Sequence, residues 1–172
     1  MSEELSREEL MEKLREYEEE LQELRRLKLV EQSVIAGLKE EGFSDRALRY
    51  FRYRKNFLLE DDPLKENADA VGGFTGACGD HVDTYLKIDE RGVIEDAKYT
   101  TDGCPGAVTS ASAIAELAKG KTLEEARKFT ARDVIEHLKE GPRGLPRHMY
   151  DCCGIAVGSL REATRRYERK GG

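Results

Sequence analysis

Apolar residues recur at two distinct periods along this chain, and the switch between them sets the expected architecture. Leu10, Leu14, Tyr17, Leu21 and Leu24 alternate spacings of four and three. Leu27, Val30, Val34 and Leu38 continue the stripe with a small phase shift. This period predicts a long amphipathic helix or a short coiled coil over residues 2–41, ended by Gly42. Ser6 followed by Glu9 has the spacing of a capping box. Such a helix packs along its own domain or pairs with itself; a docking arm for a partner protein is the more specialised reading.

The pattern then shortens. Ser44 is placed to cap a helix over residues 45–54 whose apolar face is Ala47, Leu48, Tyr50 and Phe51. Its other face carries Arg49 and Arg52, and Arg54 and Lys55 follow, a basic cluster read as a solvated face, with docking of an acidic partner as the sharper reading. Residues 60–69 are polar, contain Pro63 and read as a loop. From Val71 the period drops to two. Val82, Thr84, Leu86 and Ile88 alternate with His81, Asp83, Tyr85 and Lys87, the mark of a half-buried strand. Glu90-Arg91-Gly92 turns the chain into a second strand over residues 93–101. The expectation is an antiparallel hairpin, extended to three strands by residues 71–75.

Helical signals return after Cys104. Pro105 suits a first helical position, where its missing N–H has no partner to lose. Residues 107–119 are rich in Ala, Ser and Thr, small enough for close approach to a sheet. Thr122 with Glu125 and Thr130 with Asp133 are two further capping boxes, opening helices to about Lys128 and Glu140. Residues 141–146 read as a rigid irregular connection, and a last helix is expected from about Gly154 to Arg169. The fold class is α+β.

Composition narrows the function classes. The net charge of -6 argues against general nucleic-acid binding. No apolar run approaches the ~18 residues of a membrane span, and no secretory signal opens the chain. A cytoplasmic protein is expected, in which four cysteines bind metal or react more readily than they form disulfides. They lie in three glycine-containing segments: Thr75-Gly76-Ala77-Cys78-Gly79-Asp80, Asp102-Gly103-Cys104-Pro105-Gly106 and Asp151-Cys152-Cys153-Gly154.

The chemistry of these segments is that of one assembled site. Cys104, Cys152 and Cys153 are expected at helix starts, where partial positive charge lowers a thiol pKa. Cys78 lies on a flexible turn with Asp80 two residues on. Three thiolates suit zinc or an iron–sulfur cluster. One carboxylate in place of a fourth thiolate makes a weaker hold, suited to a cluster that must leave. There is no CxxC pair of the zinc-ribbon kind, no phosphate-binding glycine loop and no serine nucleophile with partners, so no enzyme is expected. His81 and His148 are lesser ligand candidates; His137 reads as an ordinary surface or core histidine.

Gly76-Ala77-Cys78-Gly79-Asp80, a hairpin, and then Asp102-Gly103-Cys104-Pro105-Gly106-Ala107 resemble the U-type iron–sulfur cluster assembly scaffolds, the IscU and NifU N-terminal type. The likeness extends through Lys119-Gly120-Lys121-Thr122-Leu123-Glu124-Glu125-Ala126, Leu145-Pro146 and Cys152, and reaches back to Phe43-Ser44. It implies a small three-stranded antiparallel sheet with helices packed on one side, in a scaffold domain over residues 43–172 preceded by a helical extension over 1–42. It implies Cys78, Asp80, Cys104 and Cys152 as ligands of a [2Fe–2S] cluster, or a [4Fe–4S] cluster, with zinc in the purified apo form. Cys153 is the alternative third thiolate, and Cys152, then Cys153, are the expected sulfur acceptors.

The partners implied are a cysteine desulfurase, iron and electron donors, recipient apo-proteins and a second copy of the chain, with no nucleic acid and no membrane. Two departures stand out. Asp151 replaces the His or Lys that many members carry before the third cysteine, offering a second carboxylate. Leu145-Pro146-Arg147-His148-Met149 replaces the Leu-Pro-Pro-Val-Lys segment that recruits a specialised Hsp70 in some members, so that interaction is not expected. The function expected is assembly of an iron–sulfur cluster and its transfer. A zinc-dependent sulfur carrier is the alternative, and a zinc ion that only holds the fold is a third reading.

Overall fold

The computed structural model of the chain describes residues 6–171. Helix α1 runs Arg7–Glu41, closed by Gly42 at φ 111°. The expected capping box is formed: the Glu9 amide donates to Ser6 Oγ at 3.3 Å, and the Ser6 amide donates to Glu9 Oε2 at 2.7 Å. Residues 2–5 of the expected helix lie outside the described residues. Leu38 closes one compact unit and Lys39 opens the second.

The second unit is built on a three-stranded antiparallel sheet in the order β1 (Ala70–Thr75), β2 (His81–Ile88), β3 (Ile94–Thr101). Val82, Thr84, Leu86 and Ile88 are buried and His81, Asp83, Tyr85 and Lys87 half-buried, as the alternation requires. A register irregularity at Lys87/Ile88 shifts the pairing from Lys87 with Asp96 to Ile88 with Ile94.

Helices α4 (Pro105–Ala118) and α7 (Tyr150–Arg169) cover the buried face. Small residues set the distance. A Cβ on Gly72 of β1 would lie 2.0 Å from the Ala163 amide nitrogen of α7, and a Cβ on Gly158 would lie 2.7 Å from the Phe74 ring. Hydroxyl pairs join the layers: Thr84 Oγ1 to Ser159 Oγ at 2.6 Å, and Tyr99 Oη to Ser112 Oγ at 2.8 Å. Each satisfies a polar group that would otherwise be costly to bury.

The remaining helices are short. Helix α2 (Asp45–Tyr53) is capped by Ser44, whose Oγ accepts from the Ala47 amide at 3.0 Å. Two cations of its basic cluster find local counter-ions: Arg49 with Glu140 at 3.8 Å, and Lys55 with Glu116 at 3.2 Å. Helices α5 (Leu123–Lys128) and α6 (Ala131–Leu138) carry both capping boxes.

Two boundaries differ from expectation in ways that matter. Residues 60–69 are not wholly loop, because Leu64–Asn67 forms one turn of helix, α3. Asp62 Oδ1 accepts from the Leu64 amide there and Leu64 is buried, so a local side-chain cap and one core contact suffice. Helix α7 begins at Tyr150 rather than Gly154. A 3-10 turn at Arg147–Met149 runs directly into it, and Gly154 sits on its exposed side with no neighbour that a Cβ would meet.

Candidate metal centre

Three separate segments deliver the candidate ligands. The first is the turn between β1 and β2, where the Gly76 amide donates to the Asp80 carbonyl at 2.9 Å and the Gly79 amide to the Gly76 carbonyl at 3.0 Å. Gly79 has φ 91°, a conformation that favours glycine. The turn presents Cys78 to solvent and directs Asp80 inward. The second is Cys104, the residue immediately before α4, where Pro105 holds the first helical position. The third is Cys152, in the first turn of α7.

Asp80, Cys104 and Cys152 converge: one ligand atom of each lies within 4.8 Å of the other two. The sulfurs of Cys104 and Cys152 are 3.6 Å apart, and Asp80 Oδ2 accepts from the Cys104 amide at 3.3 Å. The donors suit a soft or borderline cation, with two sulfurs and one oxygen. Cys78 stands outside this group, exposed on its turn.

Glycines make the convergence fit. A Cβ on Gly103 would lie 3.0 Å from Asp80 Cγ, and one on Gly106 would lie 3.0 Å from Cys152 Sγ and 3.0 Å from Met149 Cβ. A Cβ on Gly76 would lie 2.3 Å from Ile155 Cδ1. The sequence pointed to glycines beside the cysteines. It gave no sign of Met149, which precedes the helix start it expected at Gly154, or of the meeting of Ile155 with Gly76, which joins residues about eighty positions apart.

The two adjacent cysteines of α7 part company. Cys152 faces Cys104, whereas Cys153 is fully buried and lies 3.4 Å from Ser110 Oγ of α4. The expected lowering of their pKa by the helix start does not hold. Burial, then the neighbouring Cys104 thiol and Asp80 carboxylate, push the Cys152 thiol far up. Burial pushes the Cys153 thiol up to about 11, against a smaller opposing effect of the Ser110 hydroxyl. Desolvation of the anion outweighs the partial charge of the helix end. A cation among these groups reverses the balance for Cys152, since it favours the thiolate that the neighbours disfavour.

This predicts an order of alkylation in the metal-free protein. Iodoacetamide near pH 8 reacts with thiolates, and Cys153 remains a protonated, enclosed thiol well below its pKa of about 11. Time-resolved peptide mass spectrometry is expected to find Cys78 modified first, ahead of the buried Cys152 and Cys153. Modification of Cys153 ahead of Cys78 contradicts the burial described.

The other candidates lie elsewhere. His81 is engaged through both ring nitrogens, Nδ1 with Thr75 Oγ1 at 2.7 Å and Nε2 with Asp83 Oδ1 at 3.1 Å. His148 is exposed, with Nε2 3.8 Å from Glu41 Oε2. His137 Nε2 meets the Tyr50 hydroxyl at 2.9 Å. Asp151 is exposed and is not one of the three converging residues.

The convergence lies within a segment shared with characterised families. Residues 49–172 match the model of the NifU-like N terminal domain. The chain is 37% identical over 131 residues to iron-sulfur cluster assembly scaffold protein IscU 1 of Archaeoglobus fulgidus, covering 76% of this chain and 79% of that protein. It is 33% identical over 133 residues to IscU of Azotobacter vinelandii, covering 76% and 98%. With IscU of Escherichia coli K12 the identity is 31% over 132 residues, covering 75% and 96%. In fold it is similar to the crystal structure of a Fervidobacterium islandicum AW-1 protein assigned to iron–sulfur cluster assembly for the SUF system, at a TM-score of 0.51 and 22% identity, covering 71% and 96%. Since the matched segment holds all three strands and every cysteine, the chain is a member of the NifU-like N-terminal domain family.

Proposed function

We propose that this protein is a scaffold on which an iron–sulfur cluster is assembled and from which it is passed to apo-proteins. The observation that carries the reading is the convergence of Asp80, Cys104 and Cys152 from three distant segments to within 4.8 Å. The cluster is cargo. Cys104 and Cys152 supply two thiolates from helix starts, Cys78 supplies a third from its exposed turn, and Asp80 supplies the labile oxygen position. Cys153, turned to Ser110, is left to the core in this reading.

Sulfur comes as persulfide from a cysteine desulfurase, with iron and electrons from separate donors. Cys152 is only 5% exposed, so its use as sulfur acceptor requires the structure around it to open. Among the described residues no helix is long and apolar enough to cross a membrane, and we place the protein in the cytoplasm.

The test is anaerobic reconstitution with ferrous iron, cysteine, a desulfurase and a thiol reductant to turn persulfide sulfur into sulfide. Visible charge-transfer absorption with stoichiometric labile sulfide, followed by activation of an apo-ferredoxin, is the expected result. The absorption and the electron paramagnetic resonance of the reduced form separate [2Fe–2S] from [4Fe–4S]. A colourless protein that holds one zinc ion and carries persulfide replaces the scaffold with a zinc-dependent sulfur carrier. Asp80→Ala is expected to assemble the cluster and to lose it several-fold more slowly to a chelator, because the hard, exchangeable position is gone. Equal or faster loss removes Asp80 from that role.

A further inference from the structure

Helix α1 carries an apolar stripe that is open to solvent. Eight of its nine members, all but the buried Leu38, span 43% exposure at Val34 to 61% at Tyr17. A helix of this length owes its stability to packing of its apolar face rather than to propensity alone. The stripe therefore calls for a cover, and its own spacing and charge specify which.

We propose that α1 pairs with α1 of a second copy in an antiparallel coiled coil centred near residue 22. The stripe is self-complementary in that direction. Leu10 with Val34, Leu14 with Val30, and Tyr17 with Leu27 all share the same midpoint, and Leu21 and Leu24 flank it. The 35-residue helix is about 50 Å long at about 1.5 Å per residue, so these layers extend well along its length.

Charge selects the same direction. Glu16, Glu18, Glu19 and Glu20 precede the midpoint, and Arg25, Arg26 and Lys28 follow it. Antiparallel pairing sets the acidic run of each copy against the basic run of the other, with Glu18 opposite Arg26 and Glu19 opposite Arg25 of the second copy. Parallel pairing in register sets each run against itself, glutamates against glutamates and arginines against arginines. Flanking charges of this kind decide partner orientation in coiled coils. The Lys39 ends of the two helices then lie at opposite ends of the coil, about 50 Å apart by the same rise.

Light scattering on the full chain at tens of micromolar is expected to give twice the 19.5 kDa of one chain. A zero-length carbodiimide applied to a mixture of nitrogen-15-labelled and unlabelled protein is expected to join Lys28 of one copy to Glu16 or Glu18 of the other. Joining Lys28 to Glu23 or Glu31 between copies overturns the antiparallel direction. A mass of 19.5 kDa, with cross-links only inside one chain, overturns self-pairing and assigns the stripe to the chain's own second unit. The double substitution Arg25→Glu, Arg26→Glu is expected to raise the dimer Kd at least tenfold, and adding Glu18→Arg, Glu19→Arg is expected to restore it. No restoration overturns the register, since parallel pairing leaves like charges together in both variants.

Discussion

Cys104→Ser and Cys152→Ser are each expected to lose the reconstituted cluster, while Cys153→Ala is expected to keep it. The reasoning is geometric. The Cys104 and Cys152 sulfurs are 3.6 Å apart beside Asp80, whereas Cys153 meets Ser110 further along α4. Serine is a hard ligand that stays protonated at neutral pH, so each replacement removes a soft anion from a small donor set. The loss exceeds the about 10–100-fold typical of removing an outer partner of a metal ligand. Cys153→Ala removes one buried sulfur and leaves the Ser110 hydroxyl short of a partner, which costs about 1–3 kcal/mol of stability. Visible absorption per chain after anaerobic reconstitution reads the first effect and a thermal melt the second. Full cluster occupancy in Cys152→Ser, or its loss in Cys153→Ala, exchanges the roles of the two residues.

Gly72→Ala is the second large effect, and it acts on stability. The added Cβ would lie 2.0 Å from the Ala163 nitrogen and 2.6 Å from its Cα, both backbone atoms that no rotamer change can move aside. Either α7 lifts from β1 or the strand bends away. Overpacking of this kind costs about 3 kcal/mol or more where backbone must shift. At about 2–4 °C per kcal/mol for a chain of this size, the melting temperature falls by roughly 6–12 °C. Gly154→Ala in the same helix is the control. It meets nothing within 4 Å, and replacing a helical glycine with alanine is worth up to about 1 kcal/mol in the stabilising direction. Scanning calorimetry of both variants against the parent decides it. A Gly72→Ala melt within about 2 °C of the parent means α7 does not sit on β1 at this distance.

The two predictions meet in α7. Its seating on β1, permitted by Gly72, sets where its first turn falls, and the first turn carries Cys152. A variant that lifts α7 therefore disturbs the metal centre without touching a ligand. Gly106 and Met149 bear on the same point from the side of α4 and the 3-10 turn.

Much of this molecule is written in local sequence. The alternation over residues 81–88 emerges as the buried and half-buried faces of β2, because a strand has period two wherever one face is covered. The boxes at Ser6, Thr122 and Thr130 form where their spacing placed them, since the groups that satisfy each other are three residues apart. The stripe of α1 is legible for the same reason. The glycine-flanked turn at Cys78 and Asp80, and the order of the three cysteine segments, were enough to point to the family.

What only the tertiary structure decided concerns direction in space. Successive residues on a helix point about 100° apart, so nothing local says whether Cys152 or Cys153 turns to the centre. The docking of α7 between β1 and α4 decides it, placing one thiol by Cys104 and the other by Ser110. The rise of both thiol pKa values has the same source, because burial is a property of the packed layers and overrides the charge of a helix end. The need for glycine at position 72 comes from a helix some ninety residues later in the chain, and Ile155 meets Gly76, and Met149 meets Gly106, only once α7 and the turn before it have docked. Periodicity and caps are carried by residues within one turn or one pleat. Which faces meet is settled by long-range packing, and that is the information one strand or helix does not hold about its neighbours.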